Sequence, residues 1–152
     1  HKKYKNKNLY ESLSAYGVGF HRHNSEIEQM IKKYSKQKLT FSFTPHLSPM
    51  FRGIFTTVYV DMNKGVTINK LCNELTKFYK KSLFVNVQKL NTLISTNDVI
   101  STNNCKISVC KSKYKDKAII LSSIDNLIKG GAGQAIQNMN ILYNFNVKEG
   151  LR

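Results

Sequence analysis

Apolar residues recur along this chain in two periods, one of two and one near 3.6, and the period separates strand from helix. Leu13, Ala15 and Gly17 alternate with Ser12, Ser14 and Tyr16 before Gly17-Val18-Gly19, which predicts a short strand opening into a loop. Asn24 is placed to cap a helix, Glu26 and Glu28 put negative charge in its first turn, and Ile27, Met30, Ile31 and Tyr34 recur at helical spacing. A helix is predicted over 25–36. Leu39, Phe41 and Phe43 then alternate with Thr40, Ser42 and Thr44, a predicted strand that ends at Pro45. The loop from Pro45 to Gly53 holds both prolines of the chain and is its most rigidly specified connection.

The β-branched and aromatic run 54–61 predicts a strand. Over 67–79, Ile68, Leu71, Leu75, Phe78 and Tyr79 form one helical stripe with Cys72 beside it. Residues 83–87, 106–110 and 117–122 predict three further strands. A last helix is predicted after its cap Asp125, with Ile128, Ala132, Ala135, Ile136, Met139 and Leu142 on one side. Gly130-Gly131-Ala132-Gly133 interrupts it at about 1 kcal/mol per glycine relative to alanine, so some close backbone approach should need those glycines. Strands mixed with helices, without a strict βαβ rhythm, give an α+β class with a mixed, largely antiparallel sheet.

Composition changes this picture little. The chain has 152 residues and a formal net charge of +15, and its cations are 21 Lys against 3 Arg. Lysines are spread through every segment and are accompanied by 16 Asn, a joint enrichment that an AT-biased genome would produce. A basic nucleic-acid-binding module is the alternative that this charge supports, weakened by the scarcity of arginine, the residue that reads base edges. No apolar run approaches the length of a membrane span, and the expectation is a soluble, cytoplasmic protein. Cys72, Cys105 and Cys110 match neither a metal nor a disulfide spacing and are expected to be reduced, mostly buried thiols. His1 in place of an initiator Met, followed by a Lys/Asn-rich run, leads us to expect a piece of something longer.

His21 and His23 lie two apart and share a face on an extended backbone, with a capped helix behind them. Either could serve as a general acid/base. Together with His46 they could instead bind zinc, or they could be a plain surface or hydrogen-bonded pair, and spacing alone does not separate these readings. Arg52, the only arginine in the middle of the chain, follows the proline-bounded loop. A lone Arg at a rigid turn hints at carboxylate or phosphate recognition, with a surface salt bridge as the bland alternative.

Three segments carry a resemblance: Ala15-Tyr16-Gly17-Val18-Gly19-Phe20-His21-Arg22-His23-Asn24-Ser25-Glu26-Ile27-Glu28-Gln29, then Phe43-Thr44-Pro45-His46-Leu47-Ser48-Pro49-Met50-Phe51-Arg52-Gly53-Ile54, then the run from Asp125 to Asn140 that contains Gly130-Gly131-Ala132-Gly133. In order and spacing they resemble the carboxy-terminal part of the N-acetyl-γ-glutamyl-phosphate reductase family of arginine biosynthesis. The resemblance implies a glyceraldehyde-phosphate dehydrogenase-like carboxy-terminal domain, with helices packed on one face of its sheet. Residues 1–123 would form a substrate-binding and dimerisation domain truncated at its amino-terminal end. Residues 124–152 would be a helix and tail that pack on an NADP-binding domain.

The activity implied is NADPH-dependent reduction of N-acetyl-γ-glutamyl phosphate to the semialdehyde through a cysteine thioester. By position in the motif, His23 is implied as the catalytic acid/base, with His21 as its rival or a substrate contact. Arg22, Arg52 and His46 are implied as substrate contacts. Asn126, Gly130 and Gly133 are implied near the cofactor, with no metal. The implied partners are the substrate, an NADP-binding domain and further copies of the chain in a dimer or tetramer, with neither nucleic acid nor membrane. The family's Asn-Pro-Gly-Cys nucleophile motif and its Gly-rich dinucleotide fingerprint do not occur in these residues, so the polypeptide alone is expected to be inactive. Ser25, where proline is common in the family, and Gly131, where alanine is usual, are smaller departures.

Overall fold

A computed structural model describes residues 11–35 and 39–152. The basic amino-terminal run and the predicted end of the first helix at residue 36 lie outside the described residues. The chain divides into two compact units, 1–51 and 52–152.

In the first unit, β1 (Ser14–Ala15) pairs antiparallel with β2 (His46–Leu47), placing Ser14 opposite Leu47 and Ala15 opposite His46. The Tyr16 amide extends this ladder to the Pro45 carbonyl at 3.1 Å. The helix α1 spans His23–Tyr34, beginning two residues before its predicted start. Its N-cap is Arg22, which makes no side-chain cap, and Asn24 lies inside the first turn with a buried, unpartnered Oδ1. The expected Asn24 cap is therefore corrected. Ile27 and Ile31 are half-buried, while Met30 and Tyr34 are exposed. The predicted strand over 39–44 is also corrected. A strand needs a ladder, and the pairing falls on His46–Leu47, inside the segment predicted as loop.

The second unit holds a four-stranded sheet in the order β3-β6-β5-β4. β3 (Ile54–Asp61) matches its predicted bounds, and it pairs antiparallel with β6 (Lys117–Ile124) along its whole length. β6 pairs antiparallel with β5 (Cys105–Lys111), and β5 pairs parallel with β4 (Val85–Val87). The sheet is mixed and largely antiparallel, as its alternating runs predict. The helix α2 (Ile68–Tyr79) packs on β4 and β5. It starts where the Thr67 side chain accepts the Lys70 amide at 3.2 Å, and its Cys72 is buried against β4's exit.

A parallel pair needs a crossover, and residues 88–104 supply it, including a single 3₁₀ turn at Thr96–Asp98 that period reading missed. Buried serines hold this crossover to the sheet. The Ser108 hydroxyl of β5 donates to the Thr92 carbonyl at 2.6 Å and the Ser123 hydroxyl of β6 donates to the Ser95 carbonyl at 2.8 Å. Among the described residues the buried apolar core is small: Cys72, Phe84, Val99, Val109 and Ala118. An equal number of polar residues is buried, namely Asn103, Ser108, Ser123, Asp125 and Asn140. Specific hydrogen bonding must therefore carry much of the order here. The thiols are free, but only Cys72 is fully buried. Cys105 and Cys110 are half-buried, which corrects the expectation of mostly buried sulfurs.

The predicted last helix is two pieces. A π turn at Ile128–Ala132 breaks at Gly131, and α3 follows over Gly133–Leu142. The break relieves one continuous α-helix of its three glycines, which period reading could not foresee.

Candidate functional site

The first unit gathers an aromatic cluster at the entrance to α1. The His21 ring makes edge-on contacts with Tyr16 at 5.2 Å, His23 at 4.7 Å and Phe43 at 5.5 Å between centroids. Gly17, at φ +58°, makes room for it: a β-carbon there would stand 3.2 Å from the His21 ring and would force an L-residue into the left-handed region. The His21 Nδ1 accepts the His23 backbone amide at 3.3 Å. The His23 ring is about half exposed, with its Nε2 3.9 Å from the Glu26 carboxylate one turn on. The His21 and His23 rings meet, but not across the extended backbone expected, since Arg22 between them is helical at φ −54° and ψ −32°.

The other predicted residues of this unit stand differently. Arg22 is exposed, and its carbonyl accepts the Ser25 hydroxyl at 2.9 Å. His46 is exposed with its Nδ1 3.1 Å from the Thr44 carbonyl. Among the described residues no three His, Cys, Asp or Glu side chains converge to hold a metal ion, so the zinc reading of His21, His23 and His46 is corrected.

The second unit contains a different assembly, built around Asp125. This carboxylate is fully buried and holds four donors. Oδ1 accepts the Leu127 and Ile128 amides at 2.9 and 3.0 Å, while Oδ2 accepts the Ser101 amide at 2.7 Å and the Arg52 guanidinium at 2.6 Å. Burial by itself opposes ionisation; the Arg52 guanidinium and the three amides overcome it and hold the carboxyl at about 2, below its ordinary 3.8. The neighbouring side chain completes a clasp, since the Asn126 Oδ1 accepts the Gly53 amide at 2.7 Å. Two consecutive residues, Arg52 and Gly53, are thereby tied to two consecutive residues, Asp125 and Asn126. Gly53 must be glycine there, because at φ +116° a β-carbon would lie 2.8 Å from Thr96. The Arg52 Nε is buried and unpartnered.

The rigid-turn arginine therefore does recognise a carboxylate, and that carboxylate is the chain's own. Asp125 does cap the following backbone, but the cap serves the π turn, and its ion pair was invisible because 73 residues separate the arginine from it. The close approach expected of the glycines is internal. A β-carbon on Gly133 would meet Ile128 at 2.5 Å and the Asn103 Oδ1 at 2.6 Å, and one on Gly130 would pack on Ile124 and Ile54. Lys129, which no local pattern singled out, donates to the Gln137 Oε1 at 2.8 Å and lies over the Phe84 ring at 5.5 Å; burial lowers its pKa. Among the described residues no helix is long and apolar enough to cross a membrane.

Comparison with known proteins agrees with the fold and with the motif. A family model described as the semialdehyde dehydrogenase dimerisation domain matches residues 1–126. N-acetyl-gamma-glutamyl-phosphate reductase of Clostridium botulinum (strain Alaska E43 / Type E3) is 45% identical over 93% of this chain and 41% of its own length. The protein of the same name from Staphylococcus aureus (strain MRSA252) is 43% identical over 93% of this chain and 41% of its own length. The chain thus spans about two-fifths of the length of the curated relatives it matches. These relatives lend no support to the nucleic-acid alternative. On the match over residues 1–126, the chain belongs to the semialdehyde dehydrogenase dimerisation-domain family.

Proposed function

We propose that this chain is the substrate-binding and dimerisation half of an N-acetyl-γ-glutamyl-phosphate reductase, acting on N-acetyl-γ-glutamyl phosphate in arginine biosynthesis. The observation that carries this reading is the His21–His23 pair set in an aromatic cluster at the head of α1, within a chain 43–45% identical to reductases of that name. In this reading His23 is the acid/base. Its half-exposed ring can reach a ligand, and an imidazole can take the proton from a thiol and return one to an oxygen that gains negative charge. Arg22 and His46, both exposed, are the substrate contacts of the first unit. Arg52 contributes to substrate binding through whatever donors its bond to Asp125 leaves.

A reductase needs a hydride source, and NADP is the one we assign. The residues present do not by themselves fit a dinucleotide. The spaces over Gly130 and Gly133 are filled by Ile124, Ile54, Ile128 and Asn103, and the Asn126 Oδ1 is committed to Gly53. NADP is therefore held by polypeptide outside these residues, as is the nucleophilic thiol. A cytoplasmic location accords with such an activity.

A second copy of the chain is the partner we assign to the sheet. β3 forms its edge, with Phe55 and Tyr59 exposed on one face and Ile54 and Val58 on the other, apolar side chains that solvent disfavours. The test of the catalytic reading is His23→Ala in the reductase that contains this chain. Turnover should fall about 100-fold or more, as for a general acid/base, with the fold intact by circular dichroism; unchanged turnover removes the assignment.

A further inference from the structure

α1 begins without an ordinary cap. The amides of a helix's first turn lack intrahelical acceptors, and the residue at the cap position is Arg22, whose side chain can only donate. Asn24, the nearest good capping residue, is already inside the turn with its Oδ1 unused. One first-turn amide nevertheless has a side-chain acceptor: the His23 N–H points at the Nδ1 of His21. An imidazole nitrogen accepts only when it carries no proton, so in a neutral ring the proton lies on Nε2.

We infer that His21 is a positioning residue, an imidazole cap held as the Nε2–H tautomer by the backbone amide of His23, which fixes the start of α1 and the placement of the His23 ring. Three observations converge on it. The bond joins the side chain of one histidine to the backbone of the other, so moving the first ring moves the second residue. Tyr16, Phe43 and the His23 ring enclose His21 edge-on, which fixes the plane of the imidazole. Gly17 allows the ring to settle against the backbone. Among the described residues no carboxylate pairs with His21, and Glu26 faces His23 instead. The two histidines are thereby given unequal tasks: His23 moves the proton and His21 holds it in place. This inference rests on the reading of His23 as the acid/base only for its kinetic consequence; the tautomer stands on geometry.

The test begins with the full chain labelled with ¹⁵N. Long-range proton–nitrogen correlation at mildly alkaline pH, where imidazoles are neutral, should show His21 protonated on Nε2; protonation on Nδ1 overturns the inference without any variant. Two substitutions then separate cap from catalyst. His21→Asn keeps an acceptor at the δ position and can close an Asx turn on the same amide, whereas His21→Gln carries its amide one carbon too far. The His23 amide should exchange with solvent about tenfold more slowly in His21→Asn than in His21→Gln. In the reductase that contains the chain, His21→Asn should turn over about tenfold faster than His21→Gln. Equal exchange in the two variants, or equal losses of turnover, overturns the positioning role. A His21 ring with the expected tautomer, beside a His23→Ala enzyme of unchanged turnover, would instead remove the catalytic reading and leave the cap standing.

Discussion

The two units hold their key residues in opposite ways. In 11–51 no residue of α1 is fully buried, and the histidines are kept in place by ring edges, one glycine and a single side-chain bond to a backbone amide. In 52–152 the corresponding centre is a fully buried carboxylate with four donors, in a unit that also buries serines and asparagines on backbone and side-chain partners of their own. Under the acid/base reading proposed above, His23 must reach a ligand, which its half-exposed ring allows and full burial would not. A scaffold has no such constraint, and it can use buried polar bonds whose loss is severe.

The contrast can be broken most forcefully at Asp125. Asp125→Ala leaves Arg52 half-buried beside three freed amides, and should destabilise the chain by about 3–5 kcal/mol, the range for removing one partner of a buried pair; urea unfolding measures it, and a change as small as that of a surface substitution would deny the clasp its role. Acid should act on the same group more gently. Because the folded carboxyl sits at about 2 rather than 3.8, its stabilisation is fully present above the ordinary carboxylate range and is lost as pH falls toward 2. A shift of that size is worth on the order of 2 kcal/mol, and unfolding midpoints across acid pH should lose it in wild type but not in Asp125→Asn.

Gly133→Ala probes the packing behind the clasp. Its methyl would overlap Ile128 and the Asn103 amide, for a cost of about 2 kcal/mol, in the overpacking range; a thermal melt that rises instead would show that α3 can shift freely. Smallest should be Thr67→Ala at α2, where one exposed cap is lost for about 1 kcal/mol, read from the same denaturant titration.

Legibility in the sequence follows the same division. β3 and α2 were readable nearly to the residue because both are local patterns: seven branched and aromatic side chains in a run of eight residues, and one apolar stripe at helical spacing. The Leu39-Phe41-Phe43 alternation has the right period and yet forms no strand, since period does not supply a ladder partner. Asn24 has the right chemistry for a cap, but the helix starts at His23 and an imidazole two residues before takes the amide. The histidine cluster was legible as a juxtaposition because its residues are close in sequence. The clasp is half legible: Arg52 reads as a carboxylate or phosphate binder or a surface salt bridge, and Asp125 as a cap, but nothing local says that each is the other's partner. The π turn and the 3₁₀ turn are settled by such distant contacts and leave no period to read.

The pairing of β3 has a consequence for how the chain is made. Among the described residues its only ladder partner is β6, and Asp61 leaves the ribosome 56 positions ahead of Lys117, where that pairing begins. At about 5–20 residues per second this is a wait of roughly 3–11 s, during which a strand of valine, isoleucine and aromatic residues has no edge to dock against. Until Ile124 has cleared the exit tunnel the nascent chain cannot close this pairing, and the waiting β3 is the surface that a chaperone would have to shield.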